Sequence, residues 1–189
     1  MDGLPSFPTP AEVDCAVEEK KEALSGKVGG RQISMFGNAR QGAKQYQEDS
    51  FFYFQSPSGK VIVCGVFDGH GGYNGYVASS SARNFALAFF KKNAGEMENY
   101  DVEKWKIVLN QLFLNMHNDI RERFLQSKPN ESLTKQNSLR YVDQKGIVRG
   151  PTGDPVHGGS TATVLVMKQE DDGSSLVICA NVGDSTAIY

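Results

Sequence analysis

A fold of mixed strands and helices is the class the sequence predicts, and three observations predict it. Apolar and aromatic runs of strand composition flank the middle of the chain, and two long stretches of helical periodicity lie between them. Asp-Gly or Gly-Asp pairs punctuate the strand ends. In chain order, Phe51-Phe52-Tyr53-Phe54 reads as strand by its aromatic enrichment, and Val61 to Phe67 as an apolar strand. A helix is predicted from Asn74 to about Lys92, with Val77, Ser81, Asn84, Phe85, Ala88 and Phe89 along one side. A second runs from about Val102 to Gln126, where Trp105, Val108, Leu109, Leu112, Phe113, Met116, Ile120 and Phe124 form an amphipathic stripe bordered by Asp119 and Arg123. Gly159 to Met167 is a β-branched strand. Gln169 to Ser174 turns with Asp-Gly chemistry, and Ser175 to Ala180 returns. The last strand runs on through Asn181-Val182-Gly183-Asp184-Ser185-Thr186 to Tyr189, so that a Gly-Asp pair interrupts it.

The chemistry concentrates where these strands end. Val66-Phe67-Asp68-Gly69-His70-Gly71-Gly72 places a carboxylate, a histidine and uncovered backbone after an apolar strand. Glycines around His70 allow positive φ and close approach of the main chain to a ligand. A carboxylate beside a backbone carbonyl is a pair of hard oxygen donors suited to Mg²⁺ or Mn²⁺, although Asp-Gly after a strand is also an ordinary turn. Upstream, Glu48-Asp49 precedes the aromatic strand. If the two strands pair, Glu48, Asp49 and Asp68 come to one edge, where three carboxylates repel one another unless a cation lies between them. Taken alone, Glu48-Asp49 reads as a solvated acidic pair capping a strand rather than as a metal site.

In order, Glu48-Asp49, Asp68-Gly69-His70-Gly71-Gly72, Gly159-Ser160-Thr161-Ala162 and Asn181-Val182-Gly183-Asp184-Ser185 resemble the motifs of the type 2C metal-dependent Ser/Thr protein phosphatases, the PPM family, over roughly Phe36 to Tyr189. The resemblance implies an α+β fold: two antiparallel sheets packed face to face with helices on their outer faces, an αββα sandwich. It also implies a binuclear Mg²⁺/Mn²⁺ centre that hydrolyses phosphoserine and phosphothreonine on proteins. Asp68 would bridge the ions, Gly69 would give its carbonyl, and Glu48 and Asp49 would complete the shell directly or through water. His70 matches the general acid, and Asp184 a further, weaker metal position.

Two positions depart from the family pattern. Lys44 stands where the family commonly has a phosphate-gripping arginine; it keeps the charge and loses the bidentate fork. Thr186 also replaces an arginine. The family's later Asp-Gly and Asp-Asn motifs do not follow, so the chain is expected to be the N-terminal portion of a catalytic domain, residues 31–189, incomplete at the C-terminus. Other readings are a catalytically inactive, phosphatase-like binding module or truncated isoform, and an unrelated structural module; the last leaves the four motifs unexplained.

Composition narrows the partners. A net charge of −2 gives no nucleic-acid footprint, no apolar stretch reaches membrane-spanning length, and Asp2 precludes a myristoylation signal. The expected partners are phosphoproteins, with the chain a monomer. Cys15, Cys64 and Cys179 lack disulfide or metal spacing, and the latter two read as small core residues in strands. That pattern suits a reducing compartment, the cytoplasm or nucleus. His117 and His157 carry no site pattern. Residues 1–30, with their mixed-sign charge run, are expected to form a flexible extension. The polar segment Ser127 to Gly158 is expected to be an inserted loop near the site, and Asn130 in it begins a glycosylation-type triplet that is silent without a signal peptide.

Overall fold

The computed structural model describes residues 3–15, 23–28, 31–41, 43–126 and 140–188. Its centre is a four-stranded antiparallel sheet of β3 (Ser50–Gln55), β4 (Val61–Phe67), β9 (Ala162–Gln169) and β10 (Ser175–Val182), in the order β10-β9-β4-β3. Helices α2 (Tyr73–Lys92) and α3 (Val102–Gln126) build the layer on one face of it. A hairpin of β1 (Ala23–Val28) and β2 (Arg31–Phe36) touches the other face. The α+β class and its antiparallel sheets are as the sequence predicts.

Alternation along the strands divides the sheet. Val61, Val63 and Phe67 of β4 and Val164 and Val166 of β9 are sealed against Phe85, Phe89 and Phe90 of α2, and α3 closes the layer with Trp105, Val108, Leu109 and Leu112. Phe52 packs on Phe67 and Phe90, and a Cβ at its cross-strand partner Gly65 would strike its ring. Ile62, on the opposite face, is covered by β1 at Gly26. Further along that face Val66 and Val177 are exposed. Cys179 is exposed there too and Cys64 only half-buried, which corrects the expectation of two core cysteines: the strands are apolar, but these positions point away from the helices.

The described N-terminal residues pack on the helix layer. Thr9-Pro10-Ala11-Glu12 is a capping box that starts α1 (Pro10–Cys15). Thr9 N–H and its hydroxyl both donate to Glu12 Oε2, at 2.7 and 2.8 Å, with proline at the first helical position. Pro5 and Pro8 are buried, Val13 is fully buried, and Phe7 stacks on Phe89 at 5.1 Å. Asn93 Nδ2 donates to Ser6 O and Lys104 Nζ to Gly3 O, at 2.9 and 2.7 Å. Apolar burial and these bonds strap residues 3–13 to α2 and α3, and residues 23–28 pair in the hairpin. The charge run at 18–22 lies outside the described residues.

Part of the polar segment is ordered as well. β6 (Tyr141–Val142) and β7 (Val148–Arg149) form a small hairpin in which Arg149 Nε donates to Asp143 Oδ2 at 2.6 Å. Val148 is buried with Ala78 of α2 and Phe124 of α3. Residues 127–139, with Asn130, lie outside the described residues. No helix among the described residues is long and apolar enough to cross a membrane.

Candidate active site

The site forms where β3 begins and β4 ends. Ser50 pairs with Phe67, so continuing the antiparallel register by one residue sets Asp49 opposite Asp68. Their carboxylates come within hydrogen-bonding reach of each other. Burial, and then the negative charge of Asp68, holds the Asp49 carboxyl above its ordinary value. Asp68 itself projects into solvent.

Two other motifs support Asp68 from below. Its N–H donates to Thr161 Oγ1 at 3.1 Å, and Thr161 N–H donates back to Asp68 O at 2.9 Å. Thr161 Oγ1 also lies 2.7 Å from Ser185 Oγ. This exchange explains why the predicted strand from Gly159 is two: β8 (Gly159–Ser160) pairs with β5 (Gly69–His70), Thr161 breaks step to hold Asp68, and β9 resumes at Ala162. Gly183 turns at φ +100°, where a Cβ would stand 2.7 Å from the Thr161 methyl. Asp184, next to it, is exposed.

Gly69 and Gly71 of the loop are packed too closely for side chains. A Cβ at Gly69 would strike the carbonyls of Glu48 and Gly75, and one at Gly71 (φ +105°) would stand 2.7 Å from Gly158 Cα. Asn74 Nδ2 donates to His157 O at 2.7 Å, so the end of the polar segment rests against this loop and the start of α2. His70 is exposed; its ring lies over Gly159, where a Cβ would meet Cε1 at 3.1 Å.

Glu48 does not join the aspartates. It is only 5% exposed; Oε1 pairs with Lys44 Nζ at 3.0 Å, and Oε2 accepts the Gly72 N–H at 2.8 Å at the start of α2. Gly75 leaves room for it, since a Cβ there would be 2.5 Å from Oε2. Lys44 holds the Glu48 carboxyl below its ordinary value against the opposing effect of burial, and Glu48 in turn raises Lys44. Asp49 and Asp68 add smaller contributions that also raise Lys44. Among the described residues no three His, Cys, Asp or Glu side chains converge closely enough to hold a metal.

Two adjoining depressions open at this end of the sheet, with the 36–39 segment in both walls. The smaller, about 560 Å³, is lined by Asp49, Asp68 and Ser185; the larger, about 830 Å³, by Asp49, Gln47, Tyr76, Ser80 and Arg83. Sequence reasoning overlooked Arg83. Its signal was the i, i+4, i+7 spacing of Tyr76, Ser80 and Arg83, a polar stripe on one side of α2.

A family model described as Protein phosphatase 2C matches residues 33–189. The chain belongs to the protein phosphatase 2C family. No individual curated protein matches it. For a protein phosphatase, two carboxylates facing each other at a strand end, with Asp49 raised by burial and then by the charge of Asp68, fit a hard divalent cation: a positive ion removes the repulsion and oxygen is its preferred donor.

Proposed function

We propose that this protein phosphatase hydrolyses phosphoserine and phosphothreonine on proteins at a centre holding two Mg²⁺ or Mn²⁺ ions. The observation that carries the reading is the Asp49–Asp68 carboxylate pair, set over Thr161 and Ser185. Asp68, Asp49 and the Gly69 carbonyl would hold the ions, with Glu48 joining through water or after release from Lys44. When bound, such ions supply an activated water and neutralise charge on the phosphoryl oxygens. Lys44 adds a positive charge beside the same carboxylates and draws the phosphoryl group to this end of the sheet. His70, on the exposed loop over Gly159, protonates the leaving serine or threonine oxygen. The family match from residue 33 supports reading 31–189 as phosphatase-domain sequence, with phosphoproteins as substrates. The three cysteines, without disulfide spacing, favour the cytoplasm or nucleus.

Mn²⁺-dependent hydrolysis of p-nitrophenyl phosphate and of a phosphoserine peptide by the full chain, beside Asp68→Asn, tests this reading. Hydrolysis abolished in the variant is expected; equal rates in both proteins would overturn it. A second reading, a catalytically inactive module that binds phosphoproteins, is favoured by the commitment of Glu48 to Lys44 and Gly72. Calorimetric titration with Mn²⁺ separates the two. The inactive module has no need of a tight ion, whereas the phosphatase reading requires a saturable site that weakens in Asp49→Asn.

A further inference from the structure

Arg83 has no evident structural task. It is half-buried on α2, its Nε donates to Asn84 Oδ1 at 2.9 Å, and no carboxylate of the described residues pairs with it. Two other cations among the described residues that are taken out of water have counter-charges: buried Lys168 has Glu170 and the Tyr100 carbonyl, and half-buried Arg149 has Asp143. A guanidinium taken partly out of water without a counter-charge is costly, and it keeps two terminal nitrogens able to grip an oxyanion in a fork. The chain as a whole is slightly acidic, so Arg83 is not one member of a generally basic surface.

Its position says what it could meet. Arg83 lines the larger depression, about 830 Å³, together with Asp49, so one cavity carries an uncompensated cation and one carboxylate of the candidate centre. Asp49 and Arg83 come from different elements lining the same depression, and no ion pair joins them, so each charge is open to an occupant. A volume of this size admits several side chains of a peptide. The hydroxyl of Ser80 and the phenol of Tyr76 stand on the same stripe of α2 as polar companions.

We propose that this cavity is an accessory anion subsite in which Arg83 takes a second acidic group, a carboxylate or another phosphate, carried by the substrate close to its phosphorylated residue. The proposal rests on the phosphatase reading for the group bound at Asp49 and Asp68, and adds to it a preference for acidic phosphopeptides.

Binding is the test, measured by fluorescence anisotropy on the full chain. The probes are labelled peptides with one phosphoserine and neutral flanks, the same peptides with a single glutamate at each position within three residues of it, and the same with a second phosphoserine. The wild-type chain is expected to bind at least one acidic peptide about tenfold more tightly than the neutral one, as one charge-assisted fork allows. Arg83→Gln is expected to bind all of them alike, and Arg83→Lys to keep a reduced preference. The glutamate and phosphoserine arms tell which anion the subsite takes. Should Arg83→Gln fail to fold by circular dichroism, Ser80→Glu decides: it sets a carboxylate three residues before Arg83 on the helix, fills the subsite from within, and is expected to erase the preference. Equal binding of all peptides by the wild-type chain, or a preference that survives both Arg83→Gln and Ser80→Glu, overturns the proposal. Hydrolysis of p-nitrophenyl phosphate by the wild-type chain is read separately. Hydrolysis without an acidic preference removes the subsite alone, and a preference without hydrolysis keeps the subsite and removes the catalytic reading.

Discussion

Val164 and Leu165 are neighbours in β9, yet Val164 is sealed between the sheet and the helices, while Leu165 lies on the face that the β1–β2 hairpin touches. The same division runs across the whole sheet: Val63 against Val66, Ile178 against Val177. Both faces are built from apolar residues, as in a sheet meant to be covered on both sides. Among the described residues the helix face carries the continuous core, and the other is closed mainly at the Ile62 end. Stability is therefore concentrated on one side of the sheet, while the candidate site lies at its end, where the strands run out of partners and place Asp49 and Asp68.

Four substitutions sharpen or break this comparison. Phe67→Ala empties a fully buried ring position on the helix face and is expected to cost about 3–5 kcal/mol in urea unfolding. Next, at the boundary between core and site, Thr161→Val removes the hydroxyl that accepts from Asp68 N–H and meets Ser185. A loss of about 1 kcal/mol is expected, with faster hydrogen exchange at the Asp68 amide. Val177→Ala, on the thinly covered face, is expected to change stability by less than about 0.5 kcal/mol; a loss like that of Phe67→Ala would show this face to be covered in solution.

The smallest effect belongs to the N-terminal strap. The Thr9 N–H, with Lys92 adding to it, lowers the Glu12 carboxyl from 4.5 to about 2. The stabilisation this provides is fully present above pH 4.5 and is lost as the pH falls through about 2. Between those values, limited proteolysis near residue 9 is expected to accelerate while the sheet stays protected, and Glu12→Gln is expected to flatten that dependence.

In catalysis, His70→Ala is expected to slow hydrolysis of a phosphoserine peptide about a hundredfold and to affect p-nitrophenyl phosphate much less, because nitrophenolate leaves without a proton. An equal effect on the two substrates would assign His70 to phosphoryl binding instead.

Much of this architecture was legible in the residues. The stripe from Trp105 to Phe124 marks α3 because α3 buries one side only, and the aromatic run before Gln55 and the apolar run before Asp68 mark β3 and β4. The pairing of Asp49 with Asp68 follows from those strands lying antiparallel. What escaped has physical reasons. Periodicity cannot report the turning of Glu48 to Lys44 and Gly72, because that choice depends on the space left at Gly75. Nor did strand composition separate Cys179 from Ala180, since both faces are apolar. The capping box at Thr9 was readable but lay in a segment whose mixed charges suggested a tail. Arg83 went unremarked because one cation on a helix acquires meaning only from the cavity beside it.

The way Asp68 is held divides inheritance from chemistry within a single residue. Its main chain is fastened to Thr161 in both directions, and its side chain, exposed to water, carries none of that load. On the proposed reading, a lineage could exchange this carboxylate for an amide and lose turnover while keeping the scaffold intact, whereas an alanine at Gly69 would dislodge the strand ends themselves. Silenced copies of this protein should therefore arise by changing an aspartate and keep the glycines, and an Asp68→Asn chain should serve as a folded trap for the proteins it binds.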